Sequence, residues 1–469
     1  MKQRLKKYIG DKAFYQMALA IIIPVVIQQI ILSIAGYVDN MMINSYSQVA
    51  YTGVSTSNRF MFLIFFFWIG LASGISVFVS QYHGAKMKDK IQATIQLALI
   101  VAAVFAVIST LAIYFFGPMV IKLFIPGTNP TDIEAVGYGV DYIRIIGFGS
   151  TAMILTFMIS NIYRSLGRPR VPLLAGVIGI IGNIFLNFVF IYGYLGAPEM
   201  GSAGAALATV LSKIIELSIL IIVAFFFSEN NYARRIWKRL YVDFQLFKNY
   251  LKKGTPIVLN EVMWAIGIQL LALFITGGRI DWLTSYNYFQ NVTDLFFVYY
   301  AGIATGTAVL VGSALGEGAF EKAKDYANKL IGIIIMASII AITLLVAFSP
   351  FFLMILTEPS GEIYWNSYYL ILITAGFSAL YGFNAVVYYV LRAGGDSLRS
   401  FLLDQLPTYL VGIPLTFLLY KMEPKWQLGL ITIFLASRII DIIKIFMSAY
   451  FYNKGTWVKN LTIDEGVKA

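Results

Sequence analysis

Acidic residues lie within long apolar stretches of this chain, where an ionised carboxylate is costly. Asp39 lies near the end of the first stretch. Glu261, Asp294 and Asp404 lie in later stretches. A membrane tolerates such a residue only when it faces a cavity or a partner, so each is a candidate site for a proton or Na⁺. The alternatives are structural: Asp39 could cap a helix end at the outer surface, and Asp294 and Asp404 could lie near helix ends.

Uncharged oxygen donors occur in the same half of the chain as Asp39. Asn183 and Asn187 are four residues apart and share one face of a predicted helix, and Thr209 lies in the next predicted helix. Amide and hydroxyl oxygens suit a hard cation such as Na⁺, or can hydrogen-bond a protonated aspartate. Ordinary hydrogen bonding between helices would explain the same residues equally well.

A basic residue and an acidic residue are paired at the same spacing in both halves of the chain. Lys213 precedes Glu216 by three positions, and Arg438 precedes Asp441 by three. Residues at this spacing lie on one helix face and can neutralise each other. Their recurrence favours a structural ion pair, within one helix or between helices, over a direct functional role.

The composition excludes an ordinary water-soluble protein. The chain has 469 residues, of which 59% are apolar and 13% charged, against about 25% charged in soluble domains. It has no cysteine and one histidine, His83, which excludes disulfides, thiolate metal sites and paired-histidine chemistry. No phosphate-binding G-x4-G-K-[ST] pattern occurs, and no nucleophile with a base can be assembled. We therefore expect no enzymatic activity and no cofactor or metal, apart from H⁺ or Na⁺ bound at Asp39.

The apolar stretches predict an all-α integral membrane protein. A helix that crosses a bilayer needs about 20 apolar residues. Stretches of that length, bounded by charge or by Pro and Gly clusters, predict twelve transmembrane helices. Their expected limits are 14–38, 56–82, 92–116, 137–163, 171–194, 203–227, 254–276, 286–315, 327–350, 364–391, 401–420 and 428–452.

The distribution of basic residues predicts the orientation. Most of the 35 Lys and Arg residues lie before the first span, in the loops on that same side, or after the last span. Loops on the opposite side contain only Lys122, Arg279, Lys421 and Lys425. Because cytoplasmic loops carry the excess of Lys and Arg, both termini are expected in the cytoplasm. The net charge of +11 then marks orientation, and nucleic acid is not an expected partner.

The two halves of the chain repeat one plan. Pro24 lies opposite Pro256, and residues 72–84 lie opposite 304–316 at the same offset. RSLG at 164 matches RAGG at 392, and LSKIIEL at 211 matches ASRIIDI at 436. Six spans per half give both halves the same orientation, so the two bundles are expected to be related by a pseudo-two-fold axis along the membrane normal. This arrangement favours a carrier that alternates access over a channel or an enzyme.

The polar stretch midway along the chain predicts the division into domains. The first lobe is expected at 1–227 and the second at 254–469, with a cytoplasmic linker at 228–253.

Several motifs follow one another over nearly the whole chain. They are PVVIQQIILSIAGYVDNMMI (24–43), RSLGRPRVP (164–172), GNIFLNFVFIYG (182–193), GSAGAALAT (201–209) and LRAGGDS (391–397). Together they resemble the multidrug and toxic compound extrusion (MATE) family, bacterial type. The resemblance implies a twelve-helix, two-lobed, cation-coupled antiporter that expels amphipathic, often cationic, compounds.

The resemblance also suggests roles for individual residues of the first lobe. Asp39 stands where the family has its ion-coupling aspartate, with Asn183, Asn187 and Thr209 in the same lobe. Many relatives have an aspartate where Asn187 stands, so a coupling scheme that needs two acids is in doubt here.

The match is partial in the second lobe. Some relatives have a glutamate about one turn after the position of Glu261 and a partner aspartate in the tenth span. That span has no acid after Trp365, and Tyr381 and Asn384 lie nearest to the aspartate's place. With Asp294 and Asp404, these residues are the candidates for a substrate site or a second ion site.

The expected partners are a small organic substrate and membrane lipids. We expect a monomer in the bacterial cytoplasmic membrane. One alternative is a lipid-linked oligosaccharide flippase of the same superfamily, which would need a strongly cationic cavity for pyrophosphate. The sequence offers few Lys or Arg residues within the spans outside the apparent pairs.

Overall fold

The computed structural model describes residues 6–125, 129–226, 243–359 and 361–463. Nearly all of the described residues are helical, and no strand occurs among them. This follows from the composition, because a chain in hydrocarbon must satisfy every backbone N–H and C=O internally, as a helix does.

Six α-helices contain most of the described residues in the first half of the chain. Asn129 and Pro130 begin the fourth: the Asn129 side chain accepts the N–H of Asp132 at 2.8 Å, and Pro130 has no N–H to lose. Gly193 ends the fifth in the left-handed conformation at φ 73°. The helices are α1 (Lys12–Tyr46), α2 (Gln48–Gly84), α3 (Lys88–Phe124), α4 (Pro130–Ser165), α5 (Arg170–Tyr192) and α6 (Gly201–Phe226).

The helices of the second half are more often interrupted. A π-helical turn at Thr408–Gly412, directly after Pro407, joins α12 to α13. The helices are α7 (Phe244–Thr276), α8 (Ile280–Phe297), α9 (Tyr299–Gly316), α10 (Phe320–Leu356), α11 (Glu362–Ala393), α12 (Ser397–Pro407), α13 (Ile413–Trp426), α14 (Gly429–Ser437) and α15 (Ile439–Lys454).

Helices occupy every predicted span, but two spans are broken. Among the described residues, 10 helices are long and apolar enough to cross a membrane, when α12, the π-helical turn and α13 are counted as one continuous helix, Ser397–Trp426. The eighth predicted span is a pair, α8 and α9, bent by 44° at Val298. The twelfth consists of α14 and α15, which meet at Arg438 and are each too short to cross a bilayer alone. The all-α membrane fold is as predicted.

The chain packs as two compact units. The first-half unit contains Ile27–Val79 and Met87–Leu251, and the second-half unit contains Met1–Val26, Ser80–Lys86 and Lys252–Ala469. Two pieces of the first six helices thus pack with the second half: the start of α1, through Val26, and the end of α2. Residues 228–242 of the predicted linker (228–253) lie outside the described residues.

Each unit has an apolar interior and an apolar exterior. The first-half unit buries Ile43, Val54, Ile146 and Ala206 in one cluster. The second-half unit buries a larger cluster that includes Ile303, Leu330, Val387, Leu391 and Trp457. Large apolar side chains such as Phe148, Ile181 and Phe446 are exposed, as expected for helix faces in contact with lipid.

Candidate functional site

The first-half unit brings Asp39 against the two asparagines of α5. Asn187 Nδ2 donates to Asp39 Oδ1 at 2.6 Å. The side chain of Asn183, oriented with its nitrogen toward the carboxylate, donates to Asp39 Oδ1 at 2.8 Å and to Oδ2 at 3.3 Å. This orientation is favoured because the opposite one would turn an amide oxygen toward the carboxylate. We call Asp39, Asn183, Asn187 and Thr209 the Asp39 cluster.

The Asp39 cluster has spare oxygen acceptors. Asn187 is only 1% exposed, yet its Oδ1 has no hydrogen-bond partner among the described residues. Thr209 Oγ1 lies 3.5 Å from the side-chain amide of Asn183. Its hydroxyl donates to the carbonyl of Ala205 at 3.0 Å, which leaves the oxygen lone pairs available. A half-buried carboxylate beside amide and hydroxyl oxygens is a donor set suited to Na⁺ or to a proton. The sequence candidates of this half therefore lie together.

A second polar group lies in the same unit, deeper along α1. Arg164 Nη2 donates to Gln28 Oε1 at 2.8 Å, and Gln28 Nε2 donates to the carbonyl of Pro172 at 3.1 Å. The predicted pair of Lys213 and Glu216 is present, with Nζ and Oε2 at 2.8 Å. Sequence reasoning missed the contact of Arg164 with Gln28, although the RSLG motif and the QQ pair marked both residues.

In the second-half unit, Glu261 forms an ion pair. The predicted span that contains Glu261 has no basic residue, so the sequence indicated an isolated carboxylate there. Arg392 Nη2 lies 2.6 Å from Glu261 Oε1. The guanidinium also lies over the ring of Tyr388, 4.1 Å from its centroid, and the Tyr388 hydroxyl donates to Glu261 Oε1 at 3.2 Å. The base comes from α11, which is why the neighbouring sequence did not reveal it.

Asp404 is also paired, and it connects to Glu261 through one asparagine. Lys444 Nζ donates to Asp404 Oδ1 at 2.6 Å. Asn260 Nδ2 donates to Asp404 Oδ2 at 3.1 Å and to the Tyr388 hydroxyl at 2.7 Å. We call the set Asn260, Glu261, Tyr388, Arg392, Asp404 and Lys444 the Glu261 network. It contains two acids and two bases, and its charges balance.

The remaining candidates of the second half lie beside this network without a direct hydrogen bond to Glu261. Asn384 Nδ2 donates to the backbone carbonyl of Asp441 at 3.3 Å, and Ser448 donates to Asn384 Oδ1 at 2.8 Å. Tyr381 is largely exposed and lies edge-on to Tyr300, with ring centroids 4.9 Å apart. Asn384 therefore joins α11 to α15, and Tyr381 belongs to an aromatic group.

The two remaining acidic candidates, Asp441 and Asp294, differ in whether a basic residue contacts them. Arg438 and Asp441 form the predicted pair, with Nη1 and Oδ2 3.6 Å apart. Asp294 is exposed, and within the described part of the chain no hydrogen bond or ion pair to its carboxylate is found. Asp294 is thus the second candidate acid, with Asp39, that contacts no base.

Comparison with known proteins agrees with the repeated plan. The MatE family model matches residues 24–189 and again 256–418, so each half of the chain carries one match. The uncharacterized transporter YisQ of Bacillus subtilis is 24% identical over 87% of this chain and 88% of its own length. The probable multidrug resistance protein NorM of Thermotoga maritima is 22% identical over 94% of this chain and 92% of its own.

Solved structures share the fold. A MATE protein in complex with MaL6 superposes with a TM-score of 0.82 at 19% identity and covers 97% of this chain and 98% of its own. A MOP superfamily transporter from Pyrococcus furiosus superposes with a TM-score of 0.83 at 20% identity, with the same coverage. The two matches of the family model together span most of the chain. The chain therefore belongs to the MatE family of multi-pass membrane transporters.

Proposed function

We propose that this protein is a secondary active antiporter that exports amphipathic, cationic organic compounds in exchange for H⁺ or Na⁺ by alternating access. The observation that carries the proposal is the Asp39 cluster, a carboxylate with spare amide and hydroxyl oxygens and, among the described residues, no base within hydrogen-bond distance. Relatives named as multidrug resistance proteins support export of organic compounds. The basic cytoplasmic loops support the proposed orientation, with both termini inside.

Asp39 is the proposed coupling residue because a bound proton or Na⁺ neutralises the negative charge of its carboxylate. When no cation is bound to the Asp39 carboxylate, the amide nitrogens of Asn183 and Asn187 donate hydrogen bonds to it. A proton would neutralise the carboxylate, and Na⁺ would instead recruit oxygen atoms such as Asn187 Oδ1. Either event changes the hydrogen bonds that join α1 to α5, and this links cation binding to the position of α1.

The Glu261 network is proposed to hold the second-half unit together. Arg392 and Lys444 already neutralise Glu261 and Asp404, so a cation would have to displace a buried base to bind. Asp294, which contacts no base in the described part of the chain, is proposed to attract a cationic substrate. The same paired charges disfavour the flippase alternative, because Arg392, Lys444 and Lys213 each already contact an acid.

The test is efflux of a fluorescent organic cation from proteoliposomes, driven separately by a pH gradient and by a Na⁺ gradient. We expect the wild-type protein to respond to at least one gradient, and Asp39→Asn to abolish gradient-driven efflux. Asp281→Asn is the matched control, because Asp281 is an exposed acid at the start of α8. Wild-type efflux in Asp39→Asn would overturn the role of Asp39, and no efflux with either gradient would overturn cation-coupled export.

A further inference from the structure

The ends of α2 and α9 meet in backbone contact. A Cβ added at Gly84 would overlap the carbonyl of Ser313, and a Cβ added at Gly316 would overlap the carbonyl of Gln81. The two glycines occupy equivalent places in the repeat, as do Gln81 and Ser313. The contact is therefore reciprocal: each glycine receives the backbone of the other helix. We call this contact the glycine crossing.

A hydrogen bond and a third glycine extend the glycine crossing. Ser313 Oγ donates to the carbonyl of Ser80 at 3.3 Å, and Gly312 lies directly against the side chain of Ser80. Ser80 is only 1% exposed. This burial means that a reagent in water reaches position 80 only when the two helix ends separate.

The segment that follows α15 packs onto the glycine crossing. It runs over residues 455–463, and we call it the strap. Asn460 Nδ2 donates to the carbonyl of Gly316 at 3.1 Å. The backbone N–H of Leu461 donates to Gln81 Oε1 at 2.8 Å. The strap thus makes one hydrogen bond to each of the two helix ends.

Two apolar side chains of the strap are buried as deeply as those of the hydrophobic core. Trp457 is 2% exposed, and Leu461 is also buried. The carbonyl of Trp457 lies against Gly394, where an added Cβ would overlap it. Gln81 also donates from Nε2 to the carbonyl of Ala393 at 2.6 Å, which brings the end of α11 into the same contact.

We propose that the strap is a latch that holds the glycine crossing closed and must release before the crossing opens. The last carbonyls of a helix have no partner within the helix, and Asn460 supplies one to Gly316. When the strap leaves, this carbonyl and Gln81 Oε1 lose their partners, so the strap and the crossing are stabilised together. The inference rests on the proposed function, because alternating access requires helix ends on one side of the membrane to separate.

The absence of cysteine makes the test direct. Ser80→Cys places one thiol in the glycine crossing of an otherwise cysteine-free chain. Its reaction rate with a membrane-impermeant maleimide, in membranes open to the cytoplasmic face, reports opening. We expect Asn460→Ala or Gln81→Leu in this background to raise the rate about fivefold for each hydrogen bond lost. Lys459→Ala, which changes an exposed strap residue, should leave the rate unchanged. Equal rates in Asn460→Ala and Lys459→Ala would overturn the latch.

A second variant covers the case in which strap variants fail to fold. Gly316→Ala leaves the strap intact but adds a Cβ against the Gln81 carbonyl, so we expect the highest labelling rate of the series. Gly376→Ala is the matched control, because nothing lies within 4 Å of its added Cβ. An unchanged rate in Gly316→Ala would show that the glycine crossing does not control access to position 80. Since labelling needs neither substrate nor gradient, its result is independent of the efflux test.

Discussion

Single residues determine the chemistry of the Asp39 cluster. Asn187 both donates a hydrogen bond to Asp39 and has a side-chain oxygen free to accept one. Its amide nitrogen holds Asp39 Oδ1 at 2.6 Å, while its buried Oδ1 has no partner among the described residues. The sequence placed Asn183 and Asn187 on one helix face, and the structure adds that this face meets Asp39. The sequence indicated Thr209 as a further oxygen donor in the same half of the chain, and the structure adds that its hydroxyl oxygen lies 3.5 Å from the Asn183 amide.

We predict that Asn187→Ala lowers gradient-driven efflux roughly tenfold or more. Loss of a hydrogen bond to a charged group typically costs about 1.5–3 kcal/mol, and the cation also loses an oxygen ligand. Asn161→Ala is the control, because the Asn161 amide donates to a carbonyl of its own helix, that of Phe157, at 3.0 Å. Efflux of Asn187→Ala equal to that of Asn161→Ala would exclude a role for Asn187 in coupling.

A second prediction at this scale concerns the pair of Glu261 and Arg392. Removal of one partner of a buried ion pair typically costs about 3–5 kcal/mol, whereas removal of both can be nearly neutral. We therefore expect Arg392→Gln to lower the thermal unfolding temperature in detergent. The double variant Glu261→Gln with Arg392→Gln should recover most of that loss. If the double variant unfolds at or below the temperature of Arg392→Gln, the pair is not the reason for the loss.

At the scale of the helices, sequence patterns located the spans well and the breaks poorly. The stretches predicted from apolar length are helical in the structure, because a membrane helix must be apolar over its whole crossing. The bend at Val298 and the junction at Arg438 went unpredicted, because neither position holds Pro or Gly. The pairing of Glu261 with Arg392 was equally invisible: the partners are 131 residues apart, and local spacing carries no information about such a contact.

The residue before α7, Asp243, gives a prediction about how stability depends on pH. Burial by itself would raise the pKa of Asp243, but the N–H of Leu246 at 3.0 Å and the Lys90 ammonium at 2.9 Å outweigh it, so this pKa lies below its usual value. A depressed pKa contributes stability that is present above the unfolded pKa, about 4, and is lost as pH falls through the folded value.

We therefore expect Asp243→Asn to unfold at a lower temperature than the wild type at neutral pH. The difference should shrink as the pH is lowered below about 4, where the wild-type carboxyl becomes protonated. Thermal unfolding of both proteins across this range measures it. Asp89→Asn serves as a comparison, since Asp89 is an exposed first-turn residue of α3. A difference independent of pH would mean that the carboxylate charge is not responsible.

For the whole molecule, the sequence predicted the internal repeat, but it did not predict which segments pack together in each compact unit. Matches at a steady offset gave two equivalent halves, which the family model also found separately. Contact packing nevertheless places the start of α1 and the end of α2 with the second half. A repeat in sequence reports common ancestry of segments, whereas packing depends on which helix ends approach one another.

Orientation is testable at this scale with the same cysteine-free chain. We expect Lys421→Cys to react with an impermeant maleimide in intact cells. Lys86→Cys, in a loop on the opposite side, should react only after permeabilisation. Both lysines are exposed, so access to the reagent should depend on the side of the membrane alone. The reverse pattern would place the termini outside.

The glycine crossing restricts how freely the two halves can diverge. Because Gly84 and Gly316 each make room for the backbone of the other half, a side chain gained in one copy cannot be relieved by a change of side chain in the other. Elsewhere the copies are free to differ, as at Gln29 and its counterpart Glu261. Two copies of one ancestral segment would therefore diverge early in the charged interior and last at these two glycines.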